Sequence, residues 1–235
     1  TGFPTMSANI AKYTHAPEAI LMQESGVVDA QPKRPALSVG DPCLNPGAAM
    51  VGNLLDIMGM FLQGGWVDLG FLSGSQVDKF GNINTTSIGD YDNPTTRLPG
   101  SGGANPIGSL AKKTLIIALH DKRRLAAKVD FITPPGYIDG AGSRERWGLP
   151  ENTGPECIIT NKAILRFDKK TGEACLESFH PGNSIDEIRE HTPWDLQISD
   201  TVHETEPPTQ NELNVMREIL DPHRMIAIYE KRGYI

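Results

Sequence analysis

The sequence predicts an α/β protein with an open, mostly parallel sheet that is flanked by helices and followed by a helical C-terminal part. Two continuous apolar runs, 66–72 and 114–119, are typical of parallel strands buried on both faces. Segments with helical spacing lie between the apolar runs, and this alternation indicates an α/β fold. A polar turn at 168–172 between two further apolar runs predicts a small β-hairpin.

Each predicted element has its own signal. Pro4 suits the first turn of a helix, apolar residues recur at i, i+3 and i+4 over 47–63, and two Ser/Thr-x-x-Glu capping boxes begin later helices. We therefore predict helices over about 4–14, 47–63, 107–112, 184–191 and from 209 to a stop at 221–222. We predict strands over 19–22, 66–72, 114–119, 129–133, 157–160, 163–167 and 174–179.

The composition excludes several classes of protein. The 235 residues suit a single domain over 1–235, and the net charge of −7 argues against broad binding to nucleic acid. No apolar run approaches the roughly 18 residues that span a bilayer, and no signal-peptide pattern is present, so we predict no membrane contact. Three widely spaced cysteines without a CxxC pair indicate a reducing, cytoplasmic location.

A carboxylate after an apolar run is the first candidate for chemistry. Residues 19–22 predict a short buried strand, Glu24 follows this strand, and Gly26 favours a tight turn. In open α/β sheets, ligands bind at the carboxyl ends of strands. Glu24 is therefore a candidate nucleophile. The alternative is that Glu24 only marks the point where a strand leaves the core.

Two glycine-rich loops are the second candidate. The loop at 73–84 follows the strand predicted at 66–72, and the loop at 99–106 precedes a predicted helix. Glycines at a helix N-terminus let backbone N–H groups point at an anion or at a developing oxyanion. The second loop has neither the GxGxxG nor the GxxxxGK[ST] spacing of nucleotide-binding loops. Taken alone, each loop fits a tight turn as well as a site.

Other polar residues carry weaker signals. The six histidines form no metal-spaced pair, so no metal site is predicted, and His120 is more typical of a core edge than of a base. The run Lys122-Arg123-Arg124 is typical of a solvated face, and contact with a ligand's phosphate or with a partner is the alternative. The segment 144–146, Arg-Glu-Arg, is similar and is a candidate interface element.

Three motifs resemble, in the same order, those of the class I CoA-transferases. Glu24-Ser25-Gly26 after its apolar run resembles the active-site glutamate motif of that family. The segment 76–84 (QVDKFGNIN) resembles the glycine/asparagine loop of the family's β subunits, and 100–104 (GSGGA) resembles its glycine-rich active-site loop. The segments 86–91, 136–140 and 144–150 are similar to those of the glutaconate-type β subunits. The resemblance covers essentially the whole chain, and the N-terminal strand of the family is expected to be missing before residue 1.

The resemblance implies the fold shared by CoA-transferases and sugar-phosphate isomerases. It also implies transfer of CoA from an acyl-CoA to a carboxylic acid, with a dicarboxylic acid similar to glutaconate as the expected acceptor. The transfer would proceed through a glutamyl-CoA thioester on Glu24. It assigns oxyanion donors to the second loop: Gly102, Gly103 and Ala104. It assigns CoA contacts to the first loop: Gly74, Gln76 and Asn82. From the residues alone, Gln76, Asn82 and Asn84 either touch CoA or shape a turn, and the turn is favoured for both asparagines.

The resemblance further implies a homologous α subunit, because the family's site lies between two subunits and this chain carries the glutamate. We expect a heteromer of several αβ pairs, with CoA as a substrate and with no permanently bound cofactor. Two alternatives stay open. One is hydrolysis of an acyl-CoA or ring-opening of a CoA ester on the same scaffold. The other is a ligand-sensing domain of this fold, against which Glu24 and the two loops argue.

Overall fold

Short helices separate groups of consecutive strands along the chain. The structure, a computed structural model, describes residues 2–226. Its α-helices are α1 (Phe3–Thr14), α2 (Ala104–Leu110), α3 (Ser143–Arg146), α4 (Ile185–Glu190) and α5 (Gln210–Asn214). Its strands are β1 (Val27–Val28), β2 (Met50–Val51), β3 (Leu69–Ser73), β4 (Gln76–Val77), β5 (Ile83–Asn84), β6 (Ser87–Ile88), β7 (Thr96–Arg97), β8 (Lys113–Ala118), β9 (Gly154–Thr160), β10 (Ala163–Phe167), β11 (Ala174–Phe179) and β12 (Gln197–Glu204). A 3₁₀ turn lies at Pro42–Leu44, and π-helical segments lie at Asp56–Leu62 and Val215–Leu220.

Six strands form the main sheet, in the order β12-β11-β10-β9-β8-β3. The neighbours β3, β8 and β9 are parallel, β10 is antiparallel to both β9 and β11, and β12 is parallel to β11. The sheet is therefore mostly parallel, as predicted, and the hairpin formed by β10 and β11 turns at the predicted position. The fold class predicted from the sequence is confirmed.

The sheet belongs to a unit formed by residues 61–206. Five neighbouring strands each contribute at least one large buried aliphatic side chain to its core: Leu72, Ile116, Ile158, Leu165 and Leu176. Ile188 of α4 is buried in the same cluster, and Ile107 of α2 packs against it. Full burial of one such side chain contributes about 1.5–3 kcal/mol, so the two helices are fixed to the sheet by their apolar residues.

Among the described residues, 2–60 and 207–226 form the second unit. Met6 of α1 packs there with Val215 and Leu220 of the C-terminal π-helical segment. β1 and β2 form a separate antiparallel ladder, in which Val27 pairs with Val51. The organisation of 1–235 as a single domain stays a prediction.

Several elements lie where the sequence predicts them. β8, β10 and β11 coincide with predicted strands to within one residue, and β9 begins three residues earlier than predicted. The caps are also confirmed: the Thr209 hydroxyl accepts from the Glu212 N–H, and the Glu212 carboxylate accepts from the Thr209 N–H. Ser184 caps α4 by accepting from the N–H of Glu187. Caps of this kind typically contribute about 1 kcal/mol each.

The predicted helix over 47–63 is wrong at its start. Met50 and Val51 form β2 instead, and the helical segment begins only after Asn53, whose Oδ1 accepts from the Leu55 N–H at 2.8 Å. At Gly52, an added Cβ would lie 2.4 Å from Oδ2 of Asp56. The apolar spacing over 47–63 therefore combines a short strand with a helix that follows it.

The predicted strand over 129–133 is also wrong. The Thr133 N–H donates to Ile83 O at 2.8 Å, and Pro134 O accepts from the Ile83 N–H at 3.2 Å, so a single residue of β5 makes both bonds, one as acceptor and one as donor. The prolines at 134 and 135 have no N–H with which to extend a ladder. The segment is consequently a loop that is hydrogen-bonded to β5.

Four charged residues form a row across one face of the main sheet. Lys113 of β8 lies 3.5 Å from Glu156 of β9, and Glu156 contacts Arg166 of β10. The Nε of Arg166 in turn lies 2.5 Å from the carboxylate of Glu177 in β11. We call these four residues the charge row. Its members are partly exposed, so each pair contributes little stability by itself.

Candidate active site

Glu24 lies in a tight turn at the tip of a short hairpin. The Gly26 N–H donates to Gln23 O at 3.0 Å, which closes a four-residue turn with Glu24 in second place. The Gln23 N–H donates to Val27 O at 2.8 Å, and Met22 forms an antiparallel bridge with Val28. The backbone of the hairpin thus holds Glu24 in a defined place.

The predicted buried strand over 19–22 is wrong. Ile20 is 63% exposed, and Met22 makes only an isolated bridge. The buried strand is β1, formed by Val27 and Val28 on the other side of the turn. The two arms of the hairpin, 19–22 and β1, are both apolar in sequence. Pairing with β2 buries β1, and this pairing is not visible in the sequence.

Gly26 allows the turn to pack closely against the end of β2. Its φ is +117°, and an added Cβ would lie 2.4 Å from Gly52 O and 2.5 Å from the Asn53 nitrogen. The Gly52 N–H donates to Gly26 O at 2.9 Å. Because the obstructing atoms belong to the backbone, no residue with a side chain fits here without moving the turn that carries Glu24.

The carboxylate of Glu24 is available for chemistry. Its side chain is half-buried, and within residues 2–226 it has no ion pair and no hydrogen bond. The neighbouring Ser25 Oγ is buried and also lacks a partner in this part of the chain. An unpaired carboxylate keeps its lone pairs free for nucleophilic attack, whereas an unpaired buried hydroxyl costs about 1–3 kcal/mol.

In the first glycine-rich loop, Gln76 belongs to a small side-chain network. Its Oε1 accepts from the Asn84 Nδ2 at 2.7 Å and from the Asp130 N–H at 3.1 Å. Its Nε2 donates to Oδ2 of Asp130 at 3.0 Å. At Gly74, an added Cβ would lie 2.2 Å from the Cγ2 of Ile83, so the two arms of this loop are in close contact. Gln76 therefore braces the loop.

Asn82 is buried beneath the same loop, with 1% of its surface exposed. Its Nδ2 donates to Oδ2 of Asp78 and to Ile138 O, at 3.0 and 2.8 Å. Its Oδ1 accepts from the N–H groups of Gly136 and Ile138, at 3.0 and 3.1 Å. The pKa of the buried Asp78 is raised, chiefly by desolvation. Both ends of the Asn82 amide are occupied within the protein, which leaves the amide no polar valence for CoA.

The second glycine-rich loop leads into α2. Gly102 has a φ of +49°, and Gly103 is the N-cap residue. The Ala104 N–H donates to Ser101 O at 2.8 Å, whereas within the described chain the N–H groups of Gly102 and Gly103 have no acceptor. Two adjacent free N–H groups at a helix N-terminus can bind an anion or a developing oxyanion.

Hydrogen bonds join the two glycine-rich loops. The Gly100 N–H donates to Thr85 O at 2.7 Å. Thr133 contacts both sides, because its Oγ1 accepts from the Thr85 N–H at 3.0 Å and its O accepts from the Asn105 Nδ2 at 2.8 Å. The structure thus brings the two predicted loops together in the unit 61–206. Glu24 belongs to the other unit, and its place relative to the loops stays a prediction.

Arg144 has a role that the sequence did not predict. It is 1% exposed, and its guanidinium donates to four backbone oxygens, of Pro135, Gly136, Gly108 and Ser109, at 3.0–3.1 Å. Gly108 and Ser109 lie in the last turn of α2, so a buried cation binds the C-terminal end of the helix that carries the second loop. Arg144 is therefore no part of an exposed interface element, because its side chain is enclosed by the chain itself.

His120 is a structural residue of the core. It is 2% exposed, and its ring nitrogens lie 3.0 Å from the hydroxyls of Thr160 and Thr192. Burial lowers the pKa of the ring to about 4, with contributions from the positive charges of Lys162 and His191. A ring that stays neutral and is held by two hydroxyls is typical of a core histidine.

The low pKa of His120 predicts that the protein loses stability in mild acid. The unfolded chain takes up a proton near pH 6.5, whereas the folded chain takes it up only near pH 4. The contribution of His120 is therefore complete above about pH 6.5 and is lost as the pH falls towards 4, at about 1.4 kcal/mol per pH unit at most. Urea unfolding between pH 7.5 and 5 measures this slope. The slope should be shallower in His120→Gln, and an unchanged slope would contradict the assignment.

The described residues show neither a metal centre nor a membrane span. Over residues 2–226, no group of three or more His, Cys, Asp and Glu side chains could hold a metal ion. No helix in the same range is long and apolar enough to cross a bilayer.

The class of protein follows from a comparison with protein families. Residues 1–191 match the family described as Coenzyme A transferase. The chain belongs to this family and is an enzyme that transfers CoA.

Individual relatives sharpen this assignment. The chain is 40% identical over 229 residues to the B-type subunit of glutaconate CoA-transferase from Acidaminococcus fermentans, which covers 94% of this chain and 84% of the relative. It is 41% identical over 218 residues to the corresponding subunit of 3-oxoadipate CoA-transferase from Pseudomonas knackmussii, which covers 93% and 84%. The crystal structure of glutaconate coenzyme A-transferase from A. fermentans matches with a TM-score of 0.90 at 37% identity, over 96% of this chain and 88% of that one. The resemblance to glutaconate-type β subunits is confirmed.

Proposed function

We propose that this chain is the glutamate-bearing β subunit of a CoA-transferase that acts on dicarboxylic acids. One observation carries the proposal: Glu24 lies at the tip of a backbone-locked turn, and its carboxylate has no partner among residues 2–226. The choice of substrate class is supported by the two relatives near 40% identity, which are named for the dicarboxylic acids glutaconate and 3-oxoadipate.

In the proposed reaction, Glu24 forms and breaks bonds without a net proton transfer. Its carboxylate attacks the thioester carbonyl of the acyl-CoA. The C–S bond breaks, CoA leaves as a thiolate, and a mixed anhydride remains on Glu24. The thiolate attacks the Glu24 carbonyl, releases the donor acid as a carboxylate and leaves a glutamyl-CoA thioester. The acceptor acid then reverses these steps. Because a carboxylate is already ionised at neutral pH, no general base is required.

Each attack creates an oxyanion, for which we propose the backbone of the second loop as the donor. Gly102 and Gly103 have free N–H groups in the described chain, whereas the N–H of Ala104 is bonded to Ser101 O. We therefore assign the donor role to the two glycines and give Ala104 the role of closing the turn. Loss of one oxyanion donor typically costs about 10²–10³-fold in rate.

We propose that CoA approaches the first loop at Gly74 and Gln76, with Asn82 shaping the loop from beneath. CoA is a substrate here, and no permanently bound cofactor is required. We further propose a homologous α subunit and a heteromer of αβ pairs in the cytoplasm. The two relatives are themselves named as single subunits of larger enzymes, which supports such a partner. The α subunit would complete the acyl pocket and exclude water, which would otherwise hydrolyse the anhydride.

Chemical trapping tests the role of Glu24. The αβ complex is incubated with acetyl-CoA and treated with borohydride, which reduces a glutamyl thioester to an alcohol, and the peptides are mapped by mass spectrometry. We expect modification at Glu24 and none in a sample that lacks acetyl-CoA. Modification at any other residue would overturn the nucleophile assignment.

The same complex separates transfer from hydrolysis. A cholesterol ring-cleaving hydrolase IpdB subunit of Mycobacterium tuberculosis is 25% identical to this chain over 227 residues. This similarity is the reason for testing hydrolysis as the alternative reaction. We expect CoA release from acetyl-CoA to depend on an added acceptor acid such as glutaconate. Release at full rate without any acceptor would favour hydrolysis.

A further inference from the structure

The segment that follows β8 presents an unusual concentration of cations. Lys122, Arg123 and Lys128 are exposed, and Arg124 is half-buried. Among the ion pairs of residues 2–226, none involves any of these four side chains. We call Lys122, Arg123, Arg124 and Lys128 the basic segment.

The acidic residues beside the basic segment do not neutralise it. The carboxylate of Asp121 accepts from the backbone N–H groups of Arg123 and Arg124, at 2.8 and 3.0 Å. The carboxylate of Asp130 accepts from Gln76 Nε2 and from the Gly89 N–H, at 3.0 and 2.9 Å. Both carboxylates are thus occupied by backbone N–H groups or by Gln76, and within residues 2–226 neither pairs with a cationic side chain of the basic segment. In a chain with a net charge of −7, this is a local positive patch.

The basic segment is fixed beside the loop proposed to receive CoA. The Val77 N–H donates to Arg124 O at 2.7 Å, and the Ala126 N–H donates to Val77 O at 2.9 Å. Val77 follows Gln76 in β4. The two segments also leave the carboxyl ends of β8 and β3, which are adjacent parallel strands. Ligands of open α/β sheets bind outside these strand ends.

We propose that the basic segment binds the phosphates of the CoA nucleotide. The inference rests on the proposed function, because it takes CoA as the ligand. CoA carries a 3′-phosphate and a diphosphate, and unpaired Lys and Arg side chains bind such groups through charge-assisted hydrogen bonds. The position beside β4 places these charges next to the loop of Gly74 and Gln76.

Binding measurements with two ligands and two proteins test the inference. Calorimetric titration of the αβ complex compares CoA with dephospho-CoA, which lacks the 3′-phosphate, in wild type and in the double variant Lys122→Gln/Arg123→Gln. If the cations contact the 3′-phosphate, wild type should bind CoA roughly tenfold more tightly than dephospho-CoA, and the variant should lose most of this preference. If they contact the diphosphate, the variant should bind both ligands more weakly by a similar factor.

A matched control is available at the other end of the strands. Lys169 and Lys170 lie in the turn of the β10–β11 hairpin, are exposed and have no ion pair within residues 2–226. Lys169→Gln/Lys170→Gln makes the same charge change and should leave the affinity for CoA within twofold of wild type. An equal loss in this control would attribute the effect to net charge and overturn the inference.

Two further outcomes would overturn the proposal. One is an unchanged affinity for both ligands in Lys122→Gln/Arg123→Gln. The other is failure of the variant to assemble with the α subunit, as measured by sedimentation. This result would indicate that the basic segment contacts the α subunit. A failure limited to this proposal leaves CoA binding by wild type and trapping at Glu24 intact. A wild-type complex that binds no CoA would overturn both this proposal and the proposed function.

Discussion

The Glu24→Gln variant of the αβ complex is expected to transfer CoA at least about 10⁴-fold more slowly than wild type, as is typical when a covalent nucleophile is removed. Glutamine preserves the size of the side chain, and the hydrogen bonds that hold the turn come from the backbone. The loss should therefore be chemical and not structural. Steady-state rates with acetyl-CoA and glutaconate measure the effect, and borohydride should no longer modify the hairpin.

Two companion variants make the Glu24 result specific. Glu24→Asp keeps the carboxylate but withdraws it by about one methylene, and a misplacement of this size costs about 10²-fold. Glu18→Gln removes an exposed carboxylate six residues earlier and should be close to wild type. If Glu24→Gln retained activity within tenfold of wild type, Glu24 would not be the nucleophile.

The Arg144→Met variant is expected to lose roughly 3–5 kcal/mol of unfolding free energy. The substitution leaves the oxygens of Pro135, Gly136, Gly108 and Ser109 buried without their donor, and each unpaired buried group costs about 1–3 kcal/mol. Arg144→Lys should lie between this variant and wild type, because an ammonium group has three donors and no planar fork. Urea unfolding followed by tryptophan fluorescence measures the change.

Arg146 provides the control for Arg144 on the same short helix. Its guanidinium is 60% exposed and pairs with Asp139 at 2.8 Å. An exposed pair of this kind contributes about 0–1 kcal/mol, so Arg146→Met should unfold within that range of wild type. Equal effects of the two substitutions would contradict the assignment of Arg144 as the buried clamp on α2.

The fold could be predicted where local signals and burial agree. In β10 and β11, buried residues alternate with less buried ones, and the caps of α4 and α5 each lie within four residues. The sequence could not locate β1 and β2, because each has only two residues and their ladder joins segments more than 20 residues apart. Long-range pairing also excludes a strand at 129–133, because among the described residues its one backbone bond to a strand runs from the Thr133 N–H to Ile83 O.

The sequence names only part of the candidate site, and the catalytic roles of its residues stay predictions. Glu24 and both loops were identifiable from motif resemblance, and the contact between the loops followed from the structure through Thr85 and Thr133. Arg144 was missed because nothing in a surface-like Arg-Glu-Arg triplet indicates which arginine is enclosed. Four backbone oxygens from two distant segments determine its burial. Such acceptors cannot be predicted from a sequence pattern, because every residue type has the same backbone carbonyl group.

The charge row also selects the alignment of the strands during folding. In β10, buried Ala163, Leu165 and Phe167 alternate with the exposed Arg166. A slip of this strand by one residue would turn Arg166 towards the apolar cluster and expose the other three side chains. A buried charge without its partner costs several kcal/mol, far more than the row contributes when correctly formed. Residues that add little to the stability of the native sheet thus exclude misaligned sheets, and their substitution by small neutral residues should slow correct folding more than it lowers the melting temperature.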